Sequence, residues 1–286
     1  MAAEGALKPR PASPPRSQAV AVAPSEPTTP TLSTTPTTPP TIPHTMFFTY
    51  AHNILLTKAP EMYYDNVQHT IAEYRQAWGE PEAPVRFLDD ADCRAILQRV
   101  EPRLVPHFDT TRGMHKADIC RVAALYEEGG YYFDVDIQVV KPLRLADGVG
   151  FATANEFAGG SGGFFQAFLA AAPGHPILKQ ALYKMLLYYE GKLKAHRKGA
   201  NMGTSTLKDA FDAVPEAQRG EVRLLQEIYL SAGQYRKLPR HIETGACNFV
   251  VHDAGEHAVY FYSRIVGSPR CLARWGAAGR KCLKPC

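Results

Sequence analysis

Tyr131-Tyr132-Phe133-Asp134-Val135-Asp136-Ile137-Gln138-Val139-Val140 sets two carboxylates, two residues apart, into a run of aromatic and β-branched side chains. The run follows Gly129-Gly130 and predicts a strand. Side chains alternate across a strand, so Asp134, Asp136 and Gln138 are expected on one face and Phe133, Val135, Ile137 and Val139 on the other. The carboxylates then share a face, with Cα atoms about 6.5 Å apart. Two like charges on a mostly buried strand are costly to ionise unless a cation or hydrogen-bond donors neutralise them. A hard divalent ion holding a phosphate is the usual resolution. Two aspartates near a strand end can also mark an exposed edge or turn, but the flanking residues are too apolar for an exposed loop.

The preceding segment strengthens the reading. From His115 to Glu128, Ile119, Val122, Ala123 and Tyr126 fall at i, i+3, i+4 and i+7, one face of a helix. Gly129 or Gly130 suits the left-handed residue that closes it. Asp118 and Arg121, three apart, share a neighbouring face. They form either a structural ion pair or a joint grip on a polyhydroxylated ligand. In the second case the carboxylate accepts from hydroxyls and the guanidinium supplies a rigid donor fork.

Together, Lys116-x-Asp118-x-x-Arg121-x-x-x-Leu125-Tyr126-x-x-Gly129-Gly130-x-Tyr132-x-Asp134-x-Asp136 resembles the signature of the DXD-containing sugar transferases of glycosyltransferase family 32. Initiating mannosyltransferases and capsular polysaccharide enzymes belong to that family. Weaker resemblance extends from Ile42 to about Tyr262. The resemblance implies a GT-A fold, a nucleotide-sugar donor, a Mn²⁺ or Mg²⁺ ion and retention of anomeric configuration. It assigns Asp118 and Arg121 to donor-sugar hydroxyls, Asp134 to ribose or sugar, and Asp136 to the metal. Departures are visible too. Gln166 stands where relatives often have an Asn on the donor sugar, and Gly203-Thr204-Ser205-Thr206-Leu207 lacks the proline of Gly-Pro-x-x-Leu. His252, at the end of a strand from Asn248, matches a late histidine near metal or diphosphate, but no Gly-Ser-Trp follows it.

The chain as a whole is expected to be α/β. It should hold a mixed, mainly parallel sheet flanked by helices in a domain spanning residues 44–265. Residues 1–43 are dominated by Pro, Thr, Ser and Ala and predict a disordered segment, and 266–286 a basic, cysteine-containing tail. Strand, helix, strand, helix, strand is anticipated over Met46–Tyr50, Met62–Trp78, Val85–Leu88, the helix after Asp89 running through Val100, and the helix and strand described above. A further helix covers about Ile177–Glu190, with His175 in the turn before it, and Lys192–Lys198 makes a solvated charge run. Asp89-Asp90-Ala91-Asp92 caps a helix or touches a nucleotide.

No run of about 18 apolar residues exists, so no membrane span is expected, unlike the anchored members of the family. The net charge of +4 and the basic tail come with no nucleic-acid motif. Six cysteines form no CxxC pair, Cys120 is expected as a buried thiol, and Cys271, Cys282 and Cys286 as candidates for a tail disulfide. The family implies a Golgi or other secretory lumen; no signal or anchor is visible, which also suits a cytoplasmic or organellar location.

These readings converge on a metal-dependent retaining transferase. It would move a hexose from a UDP- or GDP-sugar to a glycan, lipid or protein acceptor. The alternative is a non-catalytic nucleotide-sugar or carbohydrate-binding protein on a decayed transferase fold. A haloacid-dehalogenase-type phosphatase, which also carries Asp-x-Asp after an apolar strand, is disfavoured by Gln138 and by the motif's distance from the chain start.

Overall fold

The computed structural model describes residues 41–156, 162–193, 202–229, 249–253 and 258–263. The expectations for residues 1–40, for Lys194–Lys198 of the charge run and for the tail lie outside these residues. Ile42, at the edge of the segment expected to be disordered, is already buried in the core.

The first half alternates as anticipated. β1 (Met46–Thr49), a short α1 (Ile54–Thr57), α2 (Glu61–Trp78), β2 (Val85–Leu88) and α3 (Asp90–Val100) follow in order. A 3₁₀ turn (Pro102–Leu104), α4 (Val105–Thr110), α5 (Gly113–Glu128) and β3 (Gly130–Phe133) complete this half. Asp89 begins α3 with a capping box, accepting from Ala91 N at 2.8 Å and Asp92 N at 3.0 Å while Asp92 accepts from Asp89 N. α5 ends on Gly129 at φ +66°, and a Cβ on Gly130 would lie 2.6 Å from the Thr45 carbonyl oxygen, so β3 can approach β1 only through a glycine. β1, β2 and β3 pair in parallel, in the order β2-β1-β3.

The second half holds β4 (Ile137–Val139), β5 (Val149–Asn155), β6 (Phe164–Ala171), α6 (Pro176–Tyr189) and α7 (Met202–Ala213). Then come α8 (Glu216–Arg219), β7 (Glu221–Tyr229), β8 (Phe249–His252) and β9 (Val259–Ser263). Among the described residues the mixed sheet has nine strands in the order β2-β1-β3-β6-β5-β7-β8-β9-β4. β5 and β7 are parallel, and the pairs β3–β6, β5–β6, β7–β8, β8–β9 and β9–β4 are antiparallel. His175 caps α6: its Nδ1 accepts from Ile177 N, and its Nε2 donates to the Arg219 carbonyl at 3.1 Å.

Alternation splits the core between the two sheet faces. Phe47, Tyr132, Phe151, Leu169 and Ala171 pack with α3, α5, α6 and α7, whereas Met46, Phe48, Tyr131, Phe133 and Ala170 pack with α2. One feature corrects the sequence reading. The Asp134–Asp136 stretch is not one continuous strand but a turn between β3 and β4. β3 is third in the sheet and β4 last. Four residues reach at most ~14 Å, whereas six flat strand spacings would need ~29 Å. The sheet therefore curls, and Phe133, Phe168 and Phe261 meet inside the curl with ring centroids 4.6–6.1 Å apart.

A second correction concerns Cys120. It is buried, as expected, but as half of a disulfide with Cys93 that ties α5 to α3. Closing a loop of 27 residues limits the unfolded chain, and the chain-entropy relation puts the gain at about 3–4 kcal/mol. Reduction, or the double substitution Cys93→Ala/Cys120→Ala, should lower unfolding stability by that order. Urea titration with and without reductant would measure it, with thiol counting on the unreduced protein as the control.

Candidate active site

Three strand ends build the site. Thr49-Tyr50-Ala51 leaves β1, Leu88-Asp89-Asp90 leaves β2, and Asp134-Val135-Asp136 leaves β3. All line one cavity of about 600 Å³, together with Tyr63 of α2 and Lys116 and Arg121 of α5. Its size and its place at the carboxyl ends of parallel strands suit a small-molecule ligand. Asp89 caps α3, one of the two anticipated roles, and both aspartates line the cavity, where Asp90 pairs with Lys116.

Arg121 organises the polar part. Only 3% exposed, it donates from Nε to the Ala117 carbonyl at 3.1 Å and from Nη1 to the Gln166 carbonyl. Its Nη2 lies 3.3 Å from Asp118 Oδ1 and its Nη1 3.2 Å from Asp134 Oδ1. The guanidinium also stacks over the Tyr132 ring, 4.5 Å from the centroid. The Tyr132 hydroxyl donates to Asp134 Oδ1 at 2.6 Å and lies 2.9 Å from Thr49 Oγ1. Asp118, Arg121 and Asp134 are therefore joined directly. Burial opposes the guanidinium's charge, but Asp134, Tyr132, Asp118 and Asp136 outweigh it and raise its pKa.

That single cation does not neutralise its surroundings. Burial pushes Asp118 up to about 6 despite Arg121. Asp136 is pushed up to about 7 by burial and then by the negative charge of Asp134, against the pull of Arg121. Asp136 is the carboxylate with an unmet demand for positive charge.

The turn bearing Asp136 is fixed by two contacts that the sequence pattern did not single out. Asn66 of α2 donates from Nδ2 to the Val135 carbonyl at 3.1 Å, and Asp134 N donates to the Ala167 carbonyl at 2.8 Å. Asn66 with Thr70, polar at i and i+4 beside the buried stripe Val67, Ile71 and Tyr74, was the available signal. The anticipated sharing of one strand face by Asp134, Asp136 and Gln138 is replaced by this turn. Gln138 belongs to β4 and accepts from the Tyr262 hydroxyl at 2.6 Å.

Gln166 and Asp118 do not line the cavity; they lie against Arg121 and α7. The Gln166 side chain donates to the Gly203 carbonyl at 3.0 Å. In the ladder His252 pairs with Val259, and Ile137, next to Asp136, pairs with Ser263 at the other end of β9. The His252 side chain lies outside the described residues. Among the described residues no three His, Cys, Asp or Glu side chains gather into a metal cage. The donor chemistry still suits a hard cation: Asp136 and Asp134 offer carboxylate oxygens, and substrate phosphates and water ordinarily complete such a shell.

Residues 49–155 match the family described as the glycosyltransferase sugar-binding region containing a DXD motif. That stretch runs from the end of β1 to the end of β5 and contains Asp118, Arg121, Asp134 and Asp136. Over these residues the chain is similar to a glycosyltransferase sugar-binding region with a DXD motif. No curated protein matches it in sequence. Among solved structures, PaToxG glycosyltransferase is similar at 17% identity over 61% of this chain and 70% of that one, with a TM-score of 0.41. A transferase mutant follows at 12% identity over 58% and 82%, with a TM-score of 0.37. A glycosyltransferase involved in glycosylation of the PBCV-1 major capsid shows 15% identity over 64% and 81%, with a TM-score of 0.35. Likenesses this distant add nothing to the sheet order and the family match.

Removing the guanidinium should be costly. Arg121→Met leaves the Asp118 and Asp134 carboxylates without their cation, at about 3–5 kcal/mol. Without Arg121 the buried Asp118 carboxyl, already raised by burial, gains further proton affinity in the folded state, so the penalty is largest at pH 8 and shrinks toward pH 5. Denaturant titrations of the variant and the wild type at the two pH values measure this.

Proposed function

We propose that the chain is a metal-dependent retaining transferase that moves a hexose from a nucleoside-diphosphate sugar to a glycan, lipid or protein acceptor. The observation that carries this reading is Arg121, Asp134 and Asp136 converging on one cavity within the DXD sugar-binding region. Asp136, with Asp134 beside it, would hold Mn²⁺ or Mg²⁺, and such an ion supplies positive charge against a departing diphosphate. Arg121 fixes Asp134 through its guanidinium and Asp118 through Nη2, so the two carboxylates keep one relative orientation toward a donor. Retention of configuration rests on the family resemblance alone.

A secretory-lumen location is part of the proposal. The Cys93–Cys120 disulfide supports it, because cytosolic thiol pools keep such pairs reduced.

Two measurements test the reading. UDP- and GDP-hexoses should be hydrolysed or transferred in the presence of Mn²⁺, and Asp136→Ala should reduce turnover by at least a hundredfold while the circular dichroism spectrum is retained. Undiminished turnover in that variant would sink the mechanism, and donor binding without turnover in the wild type would favour the non-catalytic alternative. A second test concerns the ion. Since Asp136 is protonated below about pH 7, divalent-cation affinity should fall about tenfold for each unit below that point, with proton release on binding. Calorimetry in buffers of different ionisation enthalpy reads both.

A further inference from the structure

The donor reading uses the part of the cavity where Arg121, Asp134 and Asp136 stand and leaves another part unassigned. That part is the junction of α4 and α5, which lines the cavity with Thr111, Gly113, Met114 and Ala117. It is open. A Cβ added at Gly113 would meet no atom within 4 Å, and Met114 is 63% exposed. An incoming molecule meets free space there, bounded by one apolar side chain and one hydroxyl.

Behind the Thr111 hydroxyl stand two more groups that can both donate and accept. Thr111 Oγ1 lies 2.9 Å from the Tyr189 hydroxyl and 3.5 Å from His115 Nδ1. Burial, and then Arg112, lower the His115 pKa, so its imidazole is neutral at pH 7. Burial first, and in smaller part the charge of Asp118, raise the Tyr189 pKa, so its phenol keeps its proton. The same contribution sets Tyr189 within electrostatic reach of the Asp118–Arg121 pair. His107 stacks on the Tyr189 ring at 5.1 Å and Tyr188 meets it edge-on at 5.2 Å, which fixes the ring that carries the hydroxyl. The cations lining the cavity are committed elsewhere, Lys116 to Asp90 and Arg121 to Asp118 and Asp134. This corner therefore offers neutral hydroxyl partners beside an apolar surface. A sugar ring, with hydroxyls at its edge and C–H groups on its faces, fits that mixture better than a phosphate or an alkyl chain does.

We propose that the α4–α5 corner is the acceptor subsite and that its occupant is a saccharide, held by the Thr111 hydroxyl, the Tyr189 and His115 groups behind it, and the apolar side chain of Met114. The proposal rests on the nucleotide-sugar reading above and narrows its acceptor from glycan, lipid or protein to a saccharide. The donor keeps Arg121 and the two aspartates. The acceptor takes the corner one helical turn away, since Ala117 and Arg121 are four apart on α5. In the transfer, one acceptor hydroxyl oxygen bonds to the anomeric carbon while that carbon's bond to the diphosphate oxygen breaks, and the diphosphate takes the hydroxyl proton.

Steady-state transfer by the full chain tests this, with Mn²⁺ and whichever of UDP-glucose and GDP-mannose it hydrolyses. The acceptors are methyl α-glucoside, methyl α-mannoside and methyl α-galactoside, set against a threonine-containing peptide and a polyprenyl phosphate. A methyl glycoside should accept the sugar. Gly113→Trp, which fills the open corner, should raise the KM for that glycoside by about tenfold or more and leave the donor KM within about twofold. Thr111→Val, which removes the hydroxyl and keeps the branched shape, should raise the acceptor KM about five- to tenfold, and it carries the test if Gly113→Trp does not fold. Equal rises in both KM values, or no change in either variant, would overturn the subsite. Transfer to the peptide or the polyprenyl phosphate alone would overturn the saccharide. A chain that hydrolyses the donor but transfers to none of these acceptors overturns the proposal while the donor reading stands. One that neither binds nor hydrolyses a nucleotide-sugar overturns the transferase reading and the subsite with it.

Discussion

One buried guanidinium is the constraint around which the site is arranged. Arg121 has almost no contact with water, so its charge has to be matched inside the fold. The matching groups come from distant parts of the chain: Asp118 from its own helix, Asp134 from the turn after β3, the Gln166 carbonyl from β6, and the Tyr132 ring from β3. Each partner fixes an element, so helix, turn and strand are registered against one another by one residue. The balance is not neutral. Asp118, Asp134 and Asp136 all act on this one cation, and burial first, then the negative charge of Asp134, raise the proton affinities of Asp118 and Asp136 against its pull. A site left short of positive charge in this way is suited to a cation that arrives with a diphosphate.

The curl of the sheet gives that charge its place. β3 and β4 are far apart in strand order yet joined by three residues, so the chain has to turn sharply where the aspartates stand. The apolar residues of that run still do what their pattern implied: Phe133, Val135, Ile137 and Val139 all enter the α2-side core. Their burial pins both ends of the turn, and Asn66 pins its middle through the Val135 carbonyl. The carboxylates are then presented from a rigid turn rather than from a flexible loop or the flat face of a strand.

Much of the first half was legible because it rests on local chemistry. The stripe Ile119, Val122 and Ala123 is buried as its helical spacing implied, and the acids at Asp89 and Asp92 cap the helix as their positions suggested, through a capping box that the structure shows. The pairing of Asp118 with Arg121 was readable from their three-residue spacing. Other features depend on contacts between distant segments. Cys93 and Cys120 carry no spacing signal and meet only because α3 packs on α5. Asn66 reads as an ordinary polar position on α2 until the turn it supports is in place. The pairing of His252 with Val259 and of Ile137 with Ser263 is a register between distant segments, which the sequence pattern does not carry.

By itself the sequence determined the α/β class, the helix of Asp118 and Arg121, and the Asp134-x-Asp136 motif that follows it. Periodicity, capping and charge spacing act over one or two turns of chain, and these features need no more than that. Only the tertiary structure decided that the aspartates occupy a turn, and that Asp134 is bound to Arg121 and Tyr132 while Asp136 is left short of positive charge. Those outcomes follow from which side chains share a buried, low-dielectric space, and the folded chain sets that space from segments widely separated in sequence.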